Sequence, residues 1–139
     1  MAVTPLNRQS GAVRALAEAL VAFGDADQPA RVMDTARVKT LHAVGVALAG
    51  RRLAVVDTAA RAVSWRTGPC TAIGAGRGLD ADAAAFFNGV AAHASLLEDC
   101  GPGGLREGSH PGTYVFPAAL AAAGMAAARG GRFLLRMSG

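Results

Sequence analysis

Four side chains that can move protons lie close together in the second half of the sequence. His93 and His110 each carry an imidazole, and Glu98 and Asp99 between them carry carboxylates. Imidazoles change charge near neutral pH, and a carboxylate within hydrogen-bond reach of a substrate can remove or return a proton. A proline follows His110, which biases the backbone of this histidine towards an extended conformation on a constrained turn. The stretch therefore predicts general acid–base chemistry.

Each of these residues also has a simpler interpretation. His93 shares a helix face with Phe86 and Val90, where a histidine can be a core residue whose nitrogens are bonded within the protein. The two acids can be solvated loop residues, and His110 can be a surface histidine on a turn. Together with Cys100, the histidines and acids could also form a metal-ligand set, but their spacing does not match a structural zinc site. We therefore expect neither a metal nor a cofactor.

Helical periodicity and capping residues predict an all-α fold with five or six helices. After a loose N-terminal arm over residues 1–9, Ser10 is the predicted N-cap of the first helix, which ends at Gly24. The second helix is predicted to start at about Pro29, because proline suits the first turn of a helix, and to end at Gly50.

The later helices border the stretch that carries the histidines and acids. A third apolar stripe runs from Val55 to Val63, and Asp80 is the predicted N-cap of a fourth helix. The fifth helix is predicted to begin near Pro117. The glycine-rich run 74–78 lacks the spacing of a phosphate-binding loop and instead predicts a turn.

Two helical segments, Leu41–Ala49 and Pro117–Ala128, are apolar nearly all round. A helix with this pattern is typically buried. One short domain cannot readily cover both segments, and a large exposed apolar area normally marks an interface. We therefore expect a homo-oligomer or a complex with a partner chain.

The composition is that of a globular protein and excludes several classes of function. The 139 residues are 52% hydrophobic and 17% charged, which suits a single domain with a core and argues against disorder. The net charge of +4 comes from arginines spread along the sequence without a basic stripe, so we expect no nucleic-acid partner. No apolar run is long enough for us to expect a membrane span. Cys70 and Cys100 lack metal or redox spacing and predict reduced thiols in the cytoplasm.

The order and spacing of several short motifs resemble the MmgE/PrpD family, which includes 2-methylcitrate dehydratases, cis-aconitate decarboxylases and iminodisuccinate epimerases. The matching segments are Leu41–Gly50, Asn88–Gly89, His93–Ala94, Glu98–Asp99, His110–Gly112 and Pro117–Ala121. The resemblance covers almost the whole chain, but only the N-terminal part of a family member.

The resemblance implies a helical domain without the family's small α/β lid domain. It also implies a metal-independent lyase or isomerase that acts on small polycarboxylates. By the same resemblance, the catalytic residues are His110, Asp99 and Glu98, and the substrate-binding residues are His93, Asn88 and Gly112.

The chain also departs from the family pattern. Leu96 stands where the family has a catalytic aspartate, and the later segments that carry the family's catalytic lysine and second catalytic histidine have no match in this sequence. We therefore expect a single partial domain over residues 1–139 that is inactive on its own and needs a partner chain to supply the missing portion. The alternative is a non-catalytic truncated module that acts in protein–protein association.

Overall fold

The structure is a computed structural model, and it describes residues 7–97 and 110–128. Within these residues the secondary structure is almost entirely helical, which confirms the all-α prediction. The helices are α1 (Asn7–Asp25), α2 (Ala30–Gly50), α3 (Ala54–Ala62), α4 (Ala81–His93) and α5 (Pro111–Ala128). Between α3 and α4, strand β1 (Cys70–Thr71) pairs with strand β2 (Gly78–Leu79) in antiparallel register.

The described residues form two compact units, and the boundary falls between Val32 and Met33. The first unit contains α1, whose C-terminal end is bonded by the side chain of Gln28: Nε2 donates to the carbonyl oxygen of Phe23 at 2.6 Å. The predicted start of α1 was wrong, because the helix already includes residues 7–9 and Ser10 lies inside it. A serine can occupy a helix interior as well as an N-cap, so its presence alone does not place a boundary.

The second unit begins within α2, whose predicted start near Pro29 and end at Gly50 agree with the structure. The prediction that Leu41–Ala49 is buried all round was wrong. One face is buried, through Val46 and Ala47, whereas the side chain of Leu41 is 74% exposed. The surrounding elements of this unit cover only one side of α2.

The core of the second unit combines a few large side chains with many small ones. Phe87, Leu79 and Val56 are its largest fully buried apolar side chains, and alanines fill most of the space between them. Small residues allow helix backbones to approach closely. At Gly50, an added Cβ would overlap the carbonyl oxygen of Ala91 on α4. The glycine is therefore needed for this contact between α2 and α4.

The segment between α3 and α4 is held by arginine side chains. Arg77 donates to the carbonyl oxygens of Val63, Ser64 and Arg66 at 3.0, 2.8 and 3.1 Å, so it bonds the backbone that follows α3. The turn that carries Arg77 has positive φ angles at Gly74 and Gly76, a conformation that favours glycine. The run 74–78 is thus a structural turn, as the sequence predicted.

The start of α4 is fixed by two acids. Asp80 is the N-cap, as predicted, and its Oδ1 accepts from the backbone N–H of Ala83 at 3.2 Å. Arg66 donates to Asp80 and to both carboxylate oxygens of Asp82. The hydrogen bond from Arg66 lowers the pKa of Asp82 below its ordinary range, and the same carboxylates raise the pKa of Arg66.

Helix α5 starts earlier than the sequence predicted. It begins at Pro111 rather than near Pro117, which lies inside the helix. Pro111 occupies the first helical position, where its missing N–H is not needed, and Thr113 donates from its backbone N–H and its hydroxyl to the carbonyl oxygen of His110. Pro117 removes the donor that would otherwise bond the carbonyl of Thr113. That carbonyl faces α4, since a Cβ added at Gly89 would lie 3.0 Å from its oxygen.

No helix among the described residues combines the length and the apolar character that crossing a bilayer requires.

Candidate functional site

The structure brings two of the predicted catalytic and binding residues together. His93 is the last residue of α4, and His110 directly precedes the first residue of α5. Their ring centroids lie 5.5 Å apart, with an angle of 60° between the ring planes. His93 is exposed and His110 is half-buried, so the interpretation of His93 as a core histidine does not hold.

The packing of α4 against α5 explains why the two imidazoles meet. The close approach at Gly89 and Thr113 brings the C-terminal half of α4 against the first turn of α5. The chain leaves α4 and re-enters at α5 on the same side of the unit, and each histidine occupies one of these two points. A neutral imidazole has one donor and one acceptor nitrogen, so the pair can hold an oxyanion or pass a proton to a bound group.

Gly112, a predicted binding residue, lies in the first turn of α5 and is half-buried. It lines a cavity of about 370 Å³ between α2 and α5, next to Pro111. Pro111, the residue directly after His110, therefore also lines this cavity. This arrangement joins the histidine pair to a concave surface.

Asn88, the third predicted binding residue, is completely buried. Its Oδ1 accepts from the backbone N–H of Ile73 at 2.8 Å, and its Nδ2 donates to the carbonyl oxygen of Thr71 at 2.8 Å. The two ends of the amide thus bond the last residue of β1 and the segment just after it to the middle of α4. The binding role of Asn88 stays a prediction, whereas this structural role is visible directly.

Two features of the residues that follow His93 were not predicted from the sequence. The hydroxyl oxygen of Ser95 is buried and has no hydrogen-bond partner within the part of the chain that the structure describes. Leu96 has a φ of 53°, in the left-handed region, and its side chain is 70% exposed. Leucine pays about 1–2 kcal/mol for this conformation, and neither residue type carries a sequence signal for such a state.

The predicted catalytic acids Glu98 and Asp99 lie outside the described residues, as does Cys100. Their proximity to His93 and His110 therefore stays a prediction. Among residues 7–97 and 110–128, no three His, Cys, Asp or Glu side chains come together as a possible metal site. The expectation of no metal stays an expectation, because the acids between the histidines are outside these ranges.

The profile of the MmgE/PrpD N-terminal domain matches residues 14–138. No curated protein and no solved structure matches the chain significantly.

Proposed function

Because the chain belongs to the MmgE/PrpD family, through that family's N-terminal domain, we propose that it forms the histidine-bearing part of a lyase or isomerase for small polycarboxylates. The observation that supports this proposal is the pairing of His93 with His110 at the point where α4 and α5 meet. The reaction class would be dehydration, decarboxylation or epimerisation without a metal. The predicted location in the cytoplasm belongs to the same proposal.

The proposed roles of Asp99 and Glu98 rest on the family resemblance, and those of the other residues rest also on their positions in the structure. His110 would bind a carboxylate of the substrate, since a histidine that becomes protonated can form a charge-assisted hydrogen bond with it. Asp99 and Glu98 would carry protons next to it, and His93 would form the facing wall. Gly112 would leave the backbone next to His110 accessible to the substrate, because glycine has no side chain. Asn88 would act indirectly, by fixing the backbone of Thr71 and Ile73 through its hydrogen bonds.

The first prediction concerns the binding of a polycarboxylate to the intact 139-residue chain. With citrate as the probe, His110→Ala should weaken binding by about 1.5–3 kcal/mol, which is the scale of a hydrogen bond to a charged group. This corresponds to a dissociation constant raised by roughly 10- to 150-fold. Isothermal titration calorimetry at slightly acidic pH measures it directly.

Two control variants make this measurement selective. His42→Ala removes the third histidine of the chain, which is exposed on α2 away from the histidine pair, and should leave citrate affinity unchanged. Glu98→Gln removes a charge of the same sign as the ligand and should leave affinity unchanged or improve it. If Glu98→Gln abolishes binding while His110→Ala binds like wild type, the proposed site is in the wrong place.

A second candidate function is protein–protein association without catalysis. It is supported by large apolar side chains that stay exposed on two helices of the second unit. Val38 and Leu41 on α2 are 67% and 74% exposed, and Tyr114 and Val115 on α5 are 56% and 57% exposed. Exposed apolar side chains in such numbers favour a contact with another protein surface. A second copy of this chain is the partner that we propose.

The second prediction is that the wild-type chain is larger than a monomer in solution and that Leu41→Glu shifts it towards the monomer. A buried charge without a partner is unfavourable at an apolar interface, whereas the isolated unit already exposes this position. Light scattering across a concentration series gives the mass. A wild-type chain that is monomeric at high concentration would exclude this function, and an unchanged citrate affinity in Leu41→Glu would separate it from the first proposal.

A further inference from the structure

The cavity between α2 and α5 carries an inference that goes beyond the proposed function. Its volume is about 370 Å³, which is within the range of small-molecule sites. Its lining residues are Ala36, Lys39, Thr40, Pro111, Gly112, Val115, Phe116 and Ala119. We propose that this cavity binds a small monocarboxylate with an apolar body, and that it does so independently of the histidine pair.

The apolar part of the ligand is inferred from the walls. Val115, Phe116 and Ala119 extend along one side of α5, and Ala36 faces them from α2. Contact of such a surface with a hydrocarbon chain is favourable, because it removes apolar area from water. A second carboxylate on the ligand would lie against these apolar walls and would lose its hydration without a partner. The walls therefore favour a ligand with one charged end.

The charged end is inferred from Lys39. It is the only lysine in the sequence, and none of the eight lining residues is acidic. Lys39 already has an interaction within the protein. An ammonium group has three donors, so this interaction is compatible with a further bond to a ligand oxygen. The hydroxyl of Thr40, the next residue along α2, supplies a second polar group at the same wall.

Hexanoate is the probe that tests this proposal, since it combines one carboxylate with a short apolar chain. Calorimetry with the full chain should detect hexanoate binding, and hexylammonium and succinate should bind at least tenfold more weakly. Lys39→Met keeps the apolar stem, removes the charge and should weaken hexanoate binding at least tenfold. Arg52→Gln makes the same change in net charge at an exposed site away from the cavity and should have no effect.

A second variant tests the apolar wall. Ala119 is exposed on α5, so Ala119→Leu can fold while filling part of the cavity, and it should also weaken hexanoate binding at least tenfold. Circular dichroism checks that both variants are folded. Equal affinity for hexanoate in wild type, Lys39→Met and Ala119→Leu would overturn the proposal. Absence of hexanoate binding to wild type would also overturn it. If Ala119→Leu then changes the mass in solution, the cavity is part of a protein interface.

The hexanoate test of this cavity can be distinguished from the citrate test of the proposed function. His110→Ala should reduce citrate affinity and leave hexanoate affinity unchanged. Lys39→Met should reduce hexanoate affinity and leave citrate affinity unchanged. If His110→Ala lowers the affinity for both ligands to the same extent, the cavity is not an independent site and this inference fails.

Discussion

Replacing Asn88 with alanine should destabilise the folded chain by about 3–5 kcal/mol. The substitution leaves the N–H of Ile73 and the carbonyl of Thr71 without the side chain that bonds them in the structure. An unsatisfied buried polar group costs about 1–3 kcal/mol, and the space left by the missing amide adds to this cost. Few single substitutions in a protein of this size should have a larger effect.

Urea denaturation followed by circular dichroism measures this effect as a lower midpoint at unchanged slope. Phe86→Ala is a control on the same helix, and it should cost much less because the ring of Phe86 is half exposed. Asn88→Asp keeps the acceptor for Ile73 and loses the donor to Thr71. It should also destabilise the fold, because it places a carboxylate against a carbonyl oxygen. A loss below about 1 kcal/mol for Asn88→Ala would show that these two bonds contribute little.

The second large effect is expected at two glycines of α2, Gly45 and Gly50. Replacement by alanine should change the folding stability in opposite directions at these two positions. At Gly50 a Cβ would overlap the carbonyl oxygen of Ala91, and a backbone atom cannot rotate away as a side chain does. Gly50→Ala should therefore cost about 2–3 kcal/mol through displacement of α2 from α4. At Gly45 nothing lies within 4 Å of the added Cβ, so Gly45→Ala should stabilise the helix by about 0.5–1 kcal/mol.

Thermal unfolding of the two variants at matched concentration tests this prediction. The expected result is a lower Tm for Gly50→Ala and a higher Tm for Gly45→Ala. Gly50 does not have the positive φ at which alanine would be strained, so backbone conformation cannot account for a decrease at this position. Stabilisation by both substitutions would mean that α2 and α4 can separate at no cost. Destabilisation by both would mean that Gly45 faces a surface in solution, such as a second copy of the chain.

Capping residues and helical periodicity predicted much of the fold. They failed where a helix boundary or the burial of a side chain depends on tertiary packing. Asp80 caps α4 with its own side chain and Gly50 is the last residue of α2, and both ends were predicted correctly. The start of α5 was misplaced because Pro111 and Pro117 both suit a first turn, and the sequence does not show that the helix continues through the second proline. The burial of Leu41 was overestimated because an apolar pattern cannot show how much surface the neighbouring elements cover.

The candidate site was predicted in part for the same reason. The sequence placed His93 and His110 at the edges of one loop, but their approach to 5.5 Å depends on how α4 crosses α5. The hydrogen bonds of Asn88 go to backbone groups, and a sequence does not show which backbone groups will be buried. The sequence likewise does not show that the Ser95 hydroxyl is buried and has no hydrogen-bond partner among the described residues.

The left-handed backbone at Leu96 bears on how readily the chain could change during evolution. The family resemblance places an aspartate at this position, and aspartate and asparagine enter left-handed conformations more easily than leucine does. Because the leucine side chain is largely exposed, replacing it would remove little packing. Leu96→Asp should therefore not lower the folding stability of the chain. The backbone conformation at this position suits an aspartate better than the leucine that occupies it.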